Sequence, residues 1–330
     1  MKTIGILTSG GDSPGMNPAV RAAVMAAHSA GIKVLGINRG YAGMMENDFV
    51  ELTPAYVADI VNRGGTVLFS ARSKEFCTEE GMAKAIANCL ARGIEGVVVI
   101  GGDGSFRGAR DLSERGLPCV GVPGTIDNDI ACTDYTIGYD TCLNTVAEMV
   151  DRIRDTSYSH DRVMFVEVMG RGAGWLALNS AVAAGATTVL LPEIEWDFER
   201  DVLAAIRREQ AQGKRYFIII VAEGCTADGK ESVDELAKRT QAATGLECRG
   251  VVLGHVQRGG IPTVRDRVVA AQMGTYAVKL LKEGIGNRVV ALKAEAVVDY
   301  DIFEALKMSK AIDAELCALV RGLVTTSHVS

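Results

Sequence analysis

The chain has 330 residues, with 35 Lys plus Arg against 41 Asp plus Glu, a formal charge of −6 and a hydrophobic share of 48%. At about 150 residues per domain this length suggests two domains, each able to bury its own core. The acidic balance argues against a nucleic-acid binder and against a peripheral membrane protein held by a basic patch, and the even spread of apolar residues excludes disorder.

The eight cysteines, at 77, 89, 119, 132, 142, 225, 248 and 317, form no C-x-x-C pair, and the four histidines lack metal-ligand spacing. Neither a disulfide scaffold nor a zinc site is indicated, and a reducing cytosol is expected. The N-terminus runs directly into Ile4 to Thr8, so no signal peptide is expected.

Short β-branched runs alternate with amphipathic segments along the whole chain, the pattern of doubly wound α/β domains with mostly parallel sheets. The first candidate strand, Ile4–Leu7, leads into the glycine loop Thr8 to Gly15. Asn17 is positioned to cap, and Pro18 to open, a helix that ends at Gly31, with Ala19, Ala23, Ala26 and Ala30 as a small-residue face. Candidate strands Val34–Ile37 and Gly96–Ile100 follow, the second leading into Gly101, Gly102, Asp103, Gly104 and Ser105. Cys119–Val122 leads into Pro123 to Asp129, which carries Thr125, Asp127 and Asp129, and the segment around Gly138 is the expected first crossing between domains. Val163–Val168 leads into the third glycine loop, Gly170 to Gly174, with Arg171 inside it. Gly172 to Pro192 is uncharged over a length that could span a bilayer, but its polar residues make it poor membrane material and Gly185 divides it into a helix and a strand. Strands Thr188–Leu191, Phe217–Val221 and Gly250–Leu253 complete the series, with His255 and Arg258 just beyond the last.

Three glycine loops at strand ends, each with a charged neighbour, point to a phosphate-bearing ligand, because glycine lets backbone N–H groups approach an anion and the following helix presents its positive end. The dinucleotide fingerprint fails, since Arg107 stands where a third glycine belongs and Gly108 comes one place late; a Walker loop is also missing. Asp103 either caps a helix or carries magnesium between itself and bound phosphates. The Asp127 and Asp129 turn could supply a base for phosphoryl transfer. Among arginines at loop positions, Arg171 and Arg258 adjoin glycine loops or strand ends and are candidate phosphate ligands.

Thr8 to Asp12, Gly101 to Ser105, Pro123 to Asp129, Met169 to Arg171 and Leu253 to Gly260 together closely resemble the bacterial ATP-dependent 6-phosphofructokinase family, in that family's order. The resemblance implies two Rossmann-like domains with the active site in the cleft between them: an ATP-binding domain of residues 1–138 plus about 258–305, and a fructose 6-phosphate domain of 139–257 plus about 306–330. It implies Asp127 as general base, with Thr125, Arg171 and Arg72 also catalytic. Gly11, Arg72, Ser73, Gly102, Asp103, Gly104 and Ser105 would line the ATP site. Fructose 6-phosphate would be held by Thr125, Asp127, Met169, Gly170, Arg171, Glu223, His255 and Arg258, with Arg162 and Arg249 reaching in from a neighbour in a homotetramer. Asp103 and Asp129 would serve Mg2+. Gly104 and Gly124, where pyrophosphate-using relatives carry Asp and Lys, favour ATP. Of the effector-site residues of regulated relatives, Arg21, Asp59, Arg154 and Lys214 are matched, whereas Met25, Pro54, Thr187, Gln212 and Tyr216 replace Arg, Arg, Glu, Lys and His, so a weakened effector response is expected. A pyrophosphate-dependent enzyme and a catalytically silent nucleotide-binding subunit are the alternatives.

Overall fold

The computed structural model describes residues 1–321. The strands are β1 (Thr3–Ser9), β2 (Lys33–Ile37), β3 (Phe49–Glu51), β4 (Val97–Gly101), β5 (Cys119–Pro123), β6 (Val163–Val168), β7 (Thr188–Leu190), β8 (Phe217–Ala222), β9 (Cys248–Val252), β10 (Arg288–Lys293) and β11 (Ala296–Asp301). The helices are α1 (Met16–Ser29), α2 (Gly40–Glu46), α3 (Glu79–Ala91), α4 (Asp103–Glu114), α5 (Tyr139–Ser159), α6 (Trp175–Ala183), α7 (Ala204–Ala211), α8 (Val233–Thr244), α9 (Val264–Lys282), α10 (Ile302–Ala305) and α11 (Ala314–Val320). The chain divides into two compact units, the first comprising residues 1–126, 130–142 and 258–310, the second 127–129, 143–257 and 311 onward. The nine residues after Arg321, which the sequence reading places in the second domain, lie outside the described residues.

The first unit holds a seven-stranded sheet in the order β11-β10-β5-β4-β1-β2-β3. Its interior pairs are parallel, while β2–β3 and β10–β11 are antiparallel. β4 and β5 are buried throughout, which explains their unbroken apolar runs. The strand order reverses between β1 and β4, so the loops following these two strands occupy the switch point where doubly wound sheets bind ligands.

Helix α1 begins at Met16 behind Gly15, and Asn17 does not cap it. The Asn17 amide instead donates to the carbonyls of Arg63 and Gly64 and its oxygen accepts from the Val67 N–H, so its side chain holds the 63–67 loop. Ala19, Ala22, Ala23 and Ala27 are buried, whereas Ala26 is only partly so. This small face receives α9 as well as the sheet: a Cβ on Gly274 would lie 2.6 Å from the Ala19 carbonyl.

The second unit's sheet is all parallel in the order β7-β8-β6-β9. The uncharged stretch after Gly172 resolves into α6 and β7, with Gly185 at φ +56° between them. Among the described residues, no helix is long and apolar enough to cross a membrane.

Candidate active site

In the first unit the loops after β1 and β4 interlock. A Cβ on Gly101 would stand 2.5 Å from both the Ser105 Oγ and the Ser9 carbonyl, so only glycine permits this approach. Tyr41 donates to the Ser105 carbonyl at 2.5 Å and its ring lies against Gly108, where a Cβ would come within 2.7 Å of it. Gly108, misplaced for a dinucleotide fingerprint, thus serves packing. Ser70 donates to the Gly10 carbonyl at 2.6 Å and Thr8 to that of Phe69 at 2.7 Å, so the 66–70 segment braces the β1 loop.

Gly102 is the N-cap of α4 and Asp103 its first residue. Asp103 therefore does not cap the helix. Its half-exposed carboxylate pairs with Arg107 Nε at 2.9 Å. A Cβ on Gly104 would meet nothing within 4 Å, leaving open room beside the loop. Gly124 is different: a Cβ there would press on Ile100 at 3.2 Å and Met16 at 3.4 Å. Arg72 is exposed, and the Ser73 hydroxyl accepts from the Phe76 N–H at 3.1 Å, within the 3-10 turn Glu75–Cys77.

Arg258 lies over Gly11. Its Nη1 donates to the Asp12 carbonyl at 3.1 Å, and a Cβ on Gly11 would fall 2.4 Å from that nitrogen. A residue assigned to the sugar and one assigned to the nucleotide are thus in direct contact within the first unit.

Thr125 is buried, and its carbonyl accepts from Thr136 at 2.7 Å. Asp127 is only 6% exposed, and Asn128 beside it adopts φ +50°, the left-handed conformation that Asn tolerates well. Asp129 is half-buried.

In the second unit the central strand β6 ends in Met169, Gly170 and Arg171. This loop is fastened to its neighbours on both sides. The Met169 N–H donates to Gln257 Oε1 at 3.1 Å, in the turn after β9, and the Arg171 N–H donates to Glu223 Oε2 at 3.0 Å, after β8. Gln257 is fully buried and also donates to the Gly254 carbonyl at 2.9 Å. The sequence reading passed over this glutamine although it stands inside one of the quoted motifs. Arg171 adopts φ +57° and is exposed, as is His255, which is therefore no core histidine. Among the described residues Arg72, Arg171 and Arg258 make no ion pair.

Arg162 and Arg249 lie elsewhere. Arg162 precedes β6 and Arg249 pairs with Met164 near its start, whereas Met169 follows its end. Seven residue steps separate Arg162 from Met169, more than about 20 Å along a strand. Within one chain the structure does not bring these arginines to the Met169–Arg171 loop. Both instead hold Glu247 Oε1, Arg162 at 3.0 Å and Arg249 at 2.6 Å. The hydrogen bond from Arg162, then the charges of Arg162, Arg249 and His160, keep the Glu247 carboxyl below the usual carboxylate range.

Of the residues matched to the effector site, Arg21 and Asp59 belong to the first unit and Arg154 and Lys214 to the second. Lys214 is engaged: Nζ pairs with Glu209 at 2.7 Å, and the Thr187 hydroxyl donates to the same carboxylate at 2.8 Å. Arg154 donates to the Ala184 carbonyl. Among the described residues no group of three or more His, Cys, Asp or Glu is placed to hold a metal.

The sequence model of the family described as Phosphofructokinase matches residues 3–281. The chain belongs to the phosphofructokinase family. It is 52% identical to the ATP-dependent 6-phosphofructokinase of Bacillus licheniformis, over 98% of this chain and 99% of that protein. The ATP-dependent 6-phosphofructokinase of Clostridioides difficile is 51% identical over the same shares. Among solved phosphofructokinases, that of Saccharomyces cerevisiae superposes with a TM-score of 0.85 at 34% identity, covering 93% of this chain and 45% of that one. A phosphofructokinase fold thus accounts for both units, the two glycine loops at the β1/β4 switch point and the fastened β6 loop.

Proposed function

We propose that the protein transfers the γ-phosphoryl group of ATP to the 1-hydroxyl of fructose 6-phosphate, giving fructose 1,6-bisphosphate and ADP. The observation that carries this reading is the 52% identity, over nearly the whole of both chains, to an ATP-dependent 6-phosphofructokinase. The first unit takes ATP: backbone N–H groups of the Gly11 and Gly102–Ser105 loops face its phosphates at the switch point, with Arg72 and Ser73 beside them. The open space at Gly104 suits the nucleotide better than the smaller pyrophosphate.

The sugar phosphate is taken by Met169, Gly170, Glu223, His255 and Arg258. Asp127 accepts the proton of the 1-hydroxyl as its oxygen bonds to the γ-phosphorus and the bond from that phosphorus to the β-phosphate oxygen breaks. Thr125 and Arg171 donate to the transferring group, whose charge is the main obstacle to reaction. Burial keeps Asp127 out of water, as a general base in such a site requires. One exposed carboxylate, Asp103, together with ATP oxygens is a donor set that fits magnesium, with Asp129 a further candidate. Bound there, magnesium would neutralise phosphate charge.

Because Arg162 and Arg249 stand at the opposite end of the sheet from the β6 loop, they act on fructose 6-phosphate held by another copy. Self-association is further supported by an exposed apolar row, with Ile261 69%, Val264 77% and Val268 50% accessible. The reading is a homotetramer in the cytoplasm, where free cysteines such as those of this chain persist.

The test is a coupled assay with ATP, magnesium and fructose 6-phosphate, run beside a pyrophosphate control. Turnover with ATP is expected, falling at least about a hundredfold in Asp127→Ala. Full activity in that variant would remove Asp127 from the base role; turnover with pyrophosphate alone would replace the donor.

A further inference from the structure

The triad of Arg162, Glu247 and Arg249 is held at more points than an ordinary exposed ion pair. Parallel pairing of β6 with β9 places Val163 opposite Cys248, and the Val163 N–H donates to the Glu247 carbonyl at 2.9 Å. The backbone therefore sets Glu247 between the two arginines before any side chain is placed. Arg249 is held a second time, by its own Nη1 on the Cys248 carbonyl at 2.9 Å. Arg162 is 76% buried along its side chain, and its Nε is buried with no hydrogen-bond partner among the described residues. Surface ion pairs add little to stability, so the stability of the fold does not require this arrangement. Two guanidinium groups gripping one carboxylate oxygen leave further N–H donors in a fixed relation, and paired forks of this kind match a phosphate dianion.

We propose that Glu247 is a positioning residue: its carboxylate holds Arg162 and Arg249 side by side as a ready-made seat for the phosphate ester of the sugar bound by a second copy of this chain. The inference rests on the reading that the chain phosphorylates fructose 6-phosphate. Electrostatics alone argues the other way, because a carboxylate removes one of the two positive charges that would attract the phosphate. Its value lies in order. Each arginine side chain has many rotamers, and a guanidinium displaced by about 1 Å can lose a hundredfold in effectiveness.

The two effects have opposite signs in a single variant, Glu247→Gln, which keeps the shape and removes the charge. Full-length wild type, Glu247→Gln and Glu247→Ala are assayed with fructose 6-phosphate varied at saturating ATP and magnesium, then with ATP varied at saturating fructose 6-phosphate, and their thermal midpoints are recorded. Positioning predicts that both variants raise the KM for fructose 6-phosphate about tenfold, while kcat, the KM for ATP and the midpoint stay near wild type. A purely structural role would lower the midpoint and kcat together. An unchanged or reduced KM in Glu247→Gln overturns the inference while leaving the enzymatic reading intact. Wild type that fails to turn over fructose 6-phosphate overturns both.

Discussion

The contact between Gly11 and Arg258 makes an unusual prediction: a methyl group on a nucleotide-loop glycine should injure binding of the sugar phosphate. Gly11 is not among the residues with positive φ, so Gly11→Ala imposes no backbone strain. Its Cβ would fall 2.4 Å from Arg258 Nη1 and 2.9 Å from Cζ, distances that require the guanidinium to leave. The arginine is flexible and its far end can swing into solvent, so the fold is expected to retain its thermal midpoint within a few degrees. What goes is the bond to the Asp12 carbonyl and the fixed placement of the charge. A charge-assisted hydrogen bond contributes roughly 1.5–3 kcal/mol, or about ten- to a hundredfold in kcat/KM for fructose 6-phosphate. The assay is a double-mutant cycle of Gly11→Ala, Arg258→Ala and the pair. With no guanidinium to displace, the methyl should add little to the Arg258→Ala loss. If the two losses multiply, or if Gly11→Ala raises the KM for ATP alone and does so equally without Arg258, the methyl obstructs nucleotide directly and the reasoning fails.

Asp266 is buried and accepts from Tyr135 Oη at 2.5 Å, the Gly138 N–H at 2.6 Å, and the Thr141 N–H and hydroxyl at 2.8 and 2.5 Å. Asp266→Asn cannot accept all four, and the urea midpoint should fall by the equivalent of about 3 kcal/mol with the m-value unchanged. Burial pushes the Asp266 carboxyl above its ordinary 3.8, so the native state binds this proton more tightly; wild type should lose stability relative to the variant as pH rises from 3.8 through the native value. Of the eight cysteines only Cys77 is exposed, while burial pushes the thiols of Cys89, Cys119 and Cys248 up to about 12. Native alkylation at neutral pH should therefore add one adduct, at Cys77, and labelling of Cys119 in the folded protein would contradict the packing. Finally, Lys214 is already neutralised by Glu209 at 2.7 Å; ADP or phosphoenolpyruvate should move half-saturation by fructose 6-phosphate less than about threefold, and strong shifts would show that this cation remains available.

How far the fold can be read from the sequence depends on which strands advertise themselves. The parallel interior strands are buried on both faces and read as unbroken apolar runs. The hairpin β10–β11 does not. Its turn is Ala294-Glu295, both at positive φ, +48° and +63°, where Asn-Gly or Asp-Gly would have signalled two-residue closure. β3 is three residues on an edge, too short to show a period. Asn17 looked like a cap because capping residues and loop-tethering residues are chemically the same, and only the tertiary position of the 63–67 loop separates them. β9 starts two residues before the expected Gly250 because the polar Arg249 belongs to an edge strand with an accessible face. Local motifs located the glycine loops well, since their function is mostly backbone geometry that glycine alone permits. They could not reveal Gln257 or Glu247, whose roles arise only when strands that are distant in sequence pair side by side.

A chain of net charge −6 can nevertheless be built to handle anions, because the total and the local field are separate properties. Most arginines here spend their charge on a neighbouring carboxylate, as Arg107 does on Asp103 and Arg288 on Asp299. Arg72, Arg171 and Arg258, at the loops assigned to phosphates, make no ion pair among the described residues. Arg162 and Arg249 follow the opposite rule and share Glu247. The difference matches the supports available. Loop arginines at glycine turns are held through backbone groups, Arg171 by its own N–H on the Glu223 carboxylate and Arg258 by its Nη1 on the Asp12 carbonyl, so their charge is not spent on an ion pair. Arg162 and Arg249 stand at the opposite end of the sheet, just beyond the C-termini of α5 and α8, and there a shared side-chain carboxylate, Glu247, fixes their direction.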